Sequence, residues 1–428
     1  MTSHPLDDLV QAKRAGVALG MTSVCSAHPT VLEATLRHGA SHNHIVLVEA
    51  TCNQVNQDGG YTGLTAAAFR TQVMGLAEQA GLPPERLLLG GDHLGPNPWR
   101  KSSAEVAMAK AEALVRDFVA AGYTKIHLDA SMRCADDAPG ALPPGDVAQR
   151  TARLVVAAES EAPDDDARSR LRYVIGTEVP VPGGESAGHE GIHVSTSQSV
   201  EETIAVTRQA FASSGQTRAW GRVRAVVAQP GVEFSDTQLF DYRPVAARHL
   251  VDVIEGHPDL VFEAHSTDYQ TVYALSRLVD DHFAVLKVGP GLTFAYREGV
   301  FALAHIEDEL LGDDASHVRE VLDKAMLDDA ASWQDFYSGD PDRVARSRGF
   351  SRSDRCRYYW PVPPVAAAVE AMVANLRTTG MPEELVSQYL PDQYRQVRNG
   401  EITLDPSSML RSKVTAVLDD YLVATDRS

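Results

Sequence analysis

Apolar runs closed by turn residues recur along this chain, and stretches with helical spacing lie between them. The runs are Val17 to Ser26, His44 to Thr51, Leu87 to Asn97, Thr124 to Ser131, Leu171 to Glu178, Val223 to Gln229, Leu260 to Ser266 and Phe283 to Gly289. A short run that is apolar on both faces reads as a strand buried on both sides, the kind a parallel sheet uses. The helical stretches include Ala66 to Ala80, Ala104 to Ala121, Val200 to Ser213 and Arg243 to Glu255. Eight strands alternating with helices predict an α/β protein with a TIM (β/α)8 barrel, which takes about 250 residues when unadorned. A doubly wound open sheet is the alternative.

Beyond residue 310 the pattern turns helical and charged. It is broken at Gly339-Asp-Pro341, at Ser347 to Ser353 and at the aromatic Tyr358-Tyr-Trp-Pro361, with Pro361 to Pro364 as a stiff connector. The expected division is a barrel over residues 1–310 and a C-terminal helical extension over residues 311–428 packed on it.

Composition narrows the function without naming it. A chain of 428 residues with 44% hydrophobic residues can bury one large core and a smaller one. Its net charge of −19 argues against nucleic acid or an anionic membrane surface as a partner. Cys25, Cys52, Cys134 and Cys356 form no C-x-x-C pair and no disulfide framework, and no apolar stretch reaches the length of a membrane span. A reducing cytoplasm is the expected location.

The candidate chemistry sits where the runs end. The carboxyl ends of barrel strands carry the active sites of such folds, and here they present Ser26, Glu49, Asp92, His93, His127, Asp129, Glu178, Gln229, Glu263, His265 and Lys287. Imidazole and carboxylate together suit a divalent transition metal: zinc first, with manganese, cobalt or nickel as alternatives. The expected ligands are His93 and His265, with Glu178 as the third, leaving a position open for substrate oxygens. Lys287 reads as a Schiff-base lysine, as a point charge for an anion, or as a structural partner of Glu263.

Around that centre, Gly289 and Gly291 with Ser266 and Thr267 are expected to cradle a phosphate or a terminal hydroxymethyl group through backbone N–H groups and hydroxyls. Gly289-Pro-Gly291 lacks the third glycine of a dinucleotide fingerprint, so NAD is not expected. The polar loop Asn53 to Gly63 offers Asn53 and Gln54 to sugar hydroxyls, and Ser26, Glu49 and Gln229 complete the substrate candidates. His38, His42 and His44 precede their strand at the opposite rim and read as solvated surface histidines.

Several blocks carry a resemblance that covers nearly the whole chain: Ser23-Val-Cys-Ser-Ala-His-Pro29, Glu49-Ala-Thr, Asn53-Gln-Val-Asn-Gln57, Gly59-Gly-Tyr-Thr-Gly63 and Gly90-Gly-Asp-His-Leu-Gly-Pro-Asn97. Lys125-Ile-His-Leu-Asp-Ala-Ser-Met132, Gly176-Thr-Glu-Val-Pro180, Ser353-Asp-Arg, Arg357-Tyr-Tyr-Trp360 and Ser387-Gln-Tyr-Leu-Pro391 continue it. In these the chain resembles the accessory, so-called non-catalytic, subunit family of class II D-tagatose-1,6-bisphosphate aldolase, whose relatives include ketose and ketose-6-phosphate 4-epimerases. The resemblance implies a metal-dependent barrel in which Asp92 is a base, His93 and His265 are ligands and Glu178 stands on a carboxylate-bearing strand. Gln229 stands where the class II aldolases place a ligand histidine, and Gly289 where they place a catalytic asparagine.

What it implies about function is a 4-epimerase interconverting D-fructose and D-tagatose, as 6-phosphates or free ketoses, by retro-aldol cleavage and re-addition. Asp92, Asp129 or Glu178 would take the C4 hydroxyl proton. The alternative is a subunit that stabilises a separate class II aldolase. The expected partners are a ketohexose or its phosphate, an aldolase subunit, and further copies of this chain.

Overall fold

All eight expected strands form, and they close on one another. The computed structural model describes residues 3–176 and 193–426. Its barrel strands are β1 (Met21–Val24), β2 (Val46–Thr51), β3 (Leu87–Leu94), β4 (Lys125–Leu128), β5 (Arg172–Ile175), β6 (Val223–Val227), β7 (Val261–Ala264) and β8 (Phe283–Val288). Each pairs in parallel with its neighbours, and β8 returns to β1 with Ser23 opposite Lys287, so the open-sheet alternative is excluded. A hairpin of Glu233–Phe234 and Leu239–Phe240 interrupts the connection after β6 and has no counterpart in the expected pattern.

Most strands are shorter than the runs that predicted them, because the polar tails leave the ladder and form the rim. Inside the barrel, side chains two residues apart point into the same lumen and stack in layers. The lowest layer is apolar, with Met21, Leu47, Val261 and Val285, and the helix Pro5–Arg14 stops it from below with Leu6, Leu9 and Val10. That helix starts at Pro5, its Leu6 N–H is accepted by His4 Nδ1, and its acidic first turn and basic last turn match the helix dipole. One step up, the layer is charged: Ser23, Glu49, Lys125, Glu263 and Lys287, all buried. Gly90 makes room there, since a Cβ at this position would lie 2.8 Å from Glu49 Cγ.

Past the end of helix Pro290–Leu311 the chain wraps back onto the barrel. Helix Pro406–Thr425 packs between Pro29–His42, Val272–Asp280 and Pro290–Leu311, and so takes a place in the outer shell. Its Tyr421 hydroxyl bonds to the Thr267 carbonyl at 2.8 Å, and Gly20 N–H donates to Thr425 O at 3.0 Å. A second tether is the buried pair of Arg297 and Asp354, 2.8 Å apart, which draws the segment Arg355–Tyr358 over the barrel mouth. No described helix is long and apolar enough to cross a membrane.

Candidate metal centre

Asp92 and His93 are adjacent in β3 and would face opposite sides of a regular strand. The ladder between β3 and β4 slips between Gly91 and Leu94, and His93 takes a left-handed conformation at φ 48°, which lets both side chains reach the mouth. Gly95 follows because no side chain fits there: a Cβ would lie 1.6 Å from the Asp129 carbonyl oxygen. His127 comes from β4 and His265 from the end of β7, just before Ser266, which is also left-handed at φ 54°.

The three imidazoles face one another, with ring centres 5.0 Å apart for His93 and His127, 4.8 Å for His93 and His265, and 5.3 Å for His127 and His265. Each is held from behind by a carboxylate. His93 Nδ1 lies 2.8 Å from Asp129 Oδ2, His127 Nδ1 is 2.9 Å from Asp92 Oδ1, and His265 Nε2 is 3.0 Å from Glu263 Oε1. A carboxylate only accepts, so His93 Nδ1 and His265 Nε2 carry the proton and the other nitrogen of each of these two rings presents a lone pair, whereas His127 Nδ1 also meets the His93 backbone N–H at 3.2 Å. His127 Nε2 and His265 Nδ1 are buried and have no hydrogen-bond partner among the described residues. Burial, the largest influence on both, holds His127 and His265 below the usual imidazole value and therefore neutral. Backed by oriented carboxylates, one ligating atom each from Asp92, His93, His127 and His265 lies within 4.8 Å of the others.

Charge points the same way. Asp129, Asp92, Glu49 and Glu263 are linked by these bonds and by ion pairs to two ammonium groups. Lys125 Nζ is 2.6 Å from Glu49 and 2.7 Å from Glu263, and Lys287 contacts Asp92 and lies 3.7 Å from Glu263. Among the described residues, four carboxylates against two ammonium groups leave an excess of two negative charges in a buried space, which a divalent cation could neutralise. Burial alone would raise Asp92 and Asp129. The neighbouring Lys287 ammonium holds Asp92 well below the carboxylate range, and the hydrogen bond from His93 does the same for Asp129. Burial alone would lower Lys287, but Asp92 and its neighbouring anions keep it protonated.

A cavity of about 90 Å3 opens above this cluster, lined by Asn53, Gln54, Asp92, His93, Lys287 and, from the extension, Tyr358. It also reaches His265, Ser266, Gly289 and Arg357. A larger cavity of about 350 Å3 adjoins it through Gln54 and Gly289 and is lined by Ser26, His28 and Trp360. Arg357 donates to the Tyr358 hydroxyl at 2.9 Å.

Several expected roles change. His127, which the strand-end pattern displayed without singling out, joins His93 and His265 at the mouth. Glu178 lies outside the described residues. Glu49 is no substrate contact: it is sealed below the mouth, accepting from Ser23 and Lys125. Gln229 Oε1 is taken up by the N–H groups of Gly231 and Val232, so this side chain shapes its own turn. The phosphate cradle is filled from within, because Asp268 Oδ1 accepts from Gly289 N–H at 2.9 Å and Gly291 N–H at 2.7 Å. Thr267 is buried and donates to the Lys287 carbonyl. Asp129 sits behind His93 and positions it, and Lys287, charged and paired with Asp92, is unsuited to a Schiff base. His38 is buried and bonded to Asp419, not solvated.

A closed (β/α)8 barrel with three inward imidazoles at its C-terminal mouth, each beside a carboxylate, defines the class: a barrel whose mouth gathers side chains that could hold a metal ion. The family model for D-tagatose-1,6-bisphosphate aldolase subunit GatZ/KbaZ-like matches residues 6–426, and the chain belongs to that family. It is 49% identical over 417 residues to the D-tagatose-1,6-bisphosphate aldolase subunit GatZ of Klebsiella pneumoniae, covering 97% of this chain and 98% of that protein. The GatZ subunit of Klebsiella oxytoca is 48% identical, with 97% and 99% covered. Among solved structures, a probable tagatose 6 phosphate kinase from Sinorhizobium meliloti superposes with a TM-score of 0.87 at 44% identity, covering 95% of this chain and all of that one.

Proposed function

We propose that this chain works as a subunit of a D-tagatose-1,6-bisphosphate aldolase, together with a separate class II aldolase polypeptide. The near full-length kinship to GatZ subunits supports this reading. Mixing the purified chain with such a polypeptide is expected to raise its cleavage of D-tagatose 1,6-bisphosphate and its thermal midpoint. Unchanged rate and midpoint across a range of mixing ratios would reject it.

A second reading, that the chain also inverts C4 of a ketohexose or its 6-phosphate, is favoured by one observation: the doubly anionic cage with its inward lone pairs, which would cost desolvation energy for no return in a passive subunit. His93, His127 and His265 would hold the metal, zinc or a close relative, which supplies a Lewis acid for the ketose oxygens. Asp92 is the ionised carboxylate that lines the cavity, placed to take the C4 hydroxyl proton, while the Lys287 ammonium beside it steadies developing negative charge. Arg357 and Tyr358 close the mouth against water and offer donors to the far end of the sugar. Incubating the metal-loaded chain alone with D-fructose 6-phosphate and with D-fructose, and following tagatose products by chromatography, tests this. Product that disappears in the Asp92→Asn variant is expected; no product from either sugar would reject catalysis.

A further inference from the structure

The opposite rim of the barrel holds a second cluster of ligating side chains that the mouth does not use. His38 and His42 stand one helical turn apart on Pro29–His42, so both project from one face of its last turn. Their rings are 4.4 Å apart, and the His44 ring, just past the helix end, is 5.2 Å from His38. Asp419, on helix Pro406–Thr425, reaches across with Oδ1 3.0 Å from His38 Nε2. One ligating atom from each of His38, His42 and Asp419 lies within 4.8 Å of the others.

We propose that His38, His42 and Asp419 form a second divalent-metal site, of the zinc class, that clamps the C-terminal helix onto the first helix of the barrel shell. Two imidazoles and a carboxylate suit such an ion, and a histidine pair four residues apart on a helix is a preformed half-site. His42 Nδ1 lies 3.0 Å from the His38 carbonyl oxygen, which can only accept; the proton is therefore on Nδ1, and the lone pair on Nε2. Ligands about 2.0 to 2.1 Å from a tetrahedral ion stand about 3.3 Å apart. The ion would take the place of the proton that His38 Nε2 gives to Asp419, released to solvent on binding, and the 3.0 Å between the two atoms needs to open by only a few tenths of an ångström. Access is open, since the Asp419 side chain is 52% exposed while that of His38 is 3% exposed. A simple hydrogen-bonded staple between the helices would need only His38 and Asp419; it gives His42 no part.

The test uses the full chain, stripped of metal and titrated with zinc by calorimetry, with cobalt(II) absorption as a second readout. His42 is exposed, so His42→Ala leaves the core intact, and it is expected to lower the zinc count by one per chain. In a chain whose mouth is disabled by His93→Ala and His265→Ala, one zinc is expected to remain, and His42→Ala or Asp419→Asn is expected to remove it. Zinc should also raise the thermal midpoint of the wild type more than that of His42→Ala. An unchanged count in His42→Ala, or equal thermal shifts, overturns the proposal.

Discussion

At its lower end the barrel lumen is stopped by Leu6, Leu9 and Val10 against Met21, Leu47 and Val285, whereas one layer higher the same strands turn Ser23, Glu49 and Lys287 into the same space. Leu47 and Glu49 are two residues apart in β2, Val261 and Glu263 in β7, Val285 and Lys287 in β8. An identical backbone therefore closes one end by packing and the other by charge balance. The apolar layer tolerates gradual change, because its energy is a sum of many small contacts. Removing one member of the charged layer strands the others without water.

The sharpest way to break this contrast is Lys125→Met. It leaves Glu49 and Glu263 facing each other with no cation between them, and it is expected to cost about 3–5 kcal/mol in urea unfolding. A loss under 1 kcal/mol would mean that the layer is not balanced by this ammonium. Below it, Leu9→Ala should cost about 3 kcal/mol through the cavity it leaves in the plug, with zinc affinity at the mouth unchanged. A parallel loss of zinc binding would show that the two layers are not independent.

The smallest effect concerns Asp268, the carboxyl that fills the expected anion cradle. Burial pushes it up to about 6 from 3.8, against the pull of the Gly289 and Gly291 N–H groups. Between those values the folded chain holds a proton that the unfolded chain has released. Its contribution is therefore favourable in acid and is lost as pH rises through about 6. Asp268→Asn keeps an acceptor for both N–H groups and removes the titration. Its thermal midpoint should vary less between about pH 4 and 6, and its stability at pH 7 should be higher by roughly 2 kcal/mol. Parallel pH curves for the two proteins would refute this.

Much of the architecture was legible because each strand announces itself twice, by an apolar run and by the polar residue that ends it. Asp92, His93 and His265 could be placed at one rim on that basis. His127 showed the same signal, yet a sequence does not say which strand-end histidine turns inward. The answer depends on layer height: β4 begins with Lys125 in the charged layer, so His127 falls one layer higher, beside His265. Glu49 and Gln229 were misread for a related reason. Polar residues at strand ends look alike, and only the tertiary structure shows that one is buried beneath the mouth and the other is bonded to its own turn. Asp268 lies three residues past His265 and carries no pattern of its own. The reach of Arg357 and Tyr358 over the mouth depends on a tether between Arg297 and Asp354, which are far apart in the chain.

The placement of helix Pro406–Thr425 in the outer shell sets an order of events for a chain made from its N-terminus. The plug helix Pro5–Arg14 and β1 emerge long before that helix, so the shell beside β1 lacks a wall until residues near Tyr421 and Thr425 have been synthesised. During that interval the apolar sides of Pro29–His42 and Val272–Asp280 have nothing to cover them, a condition under which growing chains associate wrongly or recruit chaperones. Ribosomes stalled short of residue 406 should therefore hold a barrel that is protease-sensitive along that seam, and helix Pro406–Thr425 acts as its closing step.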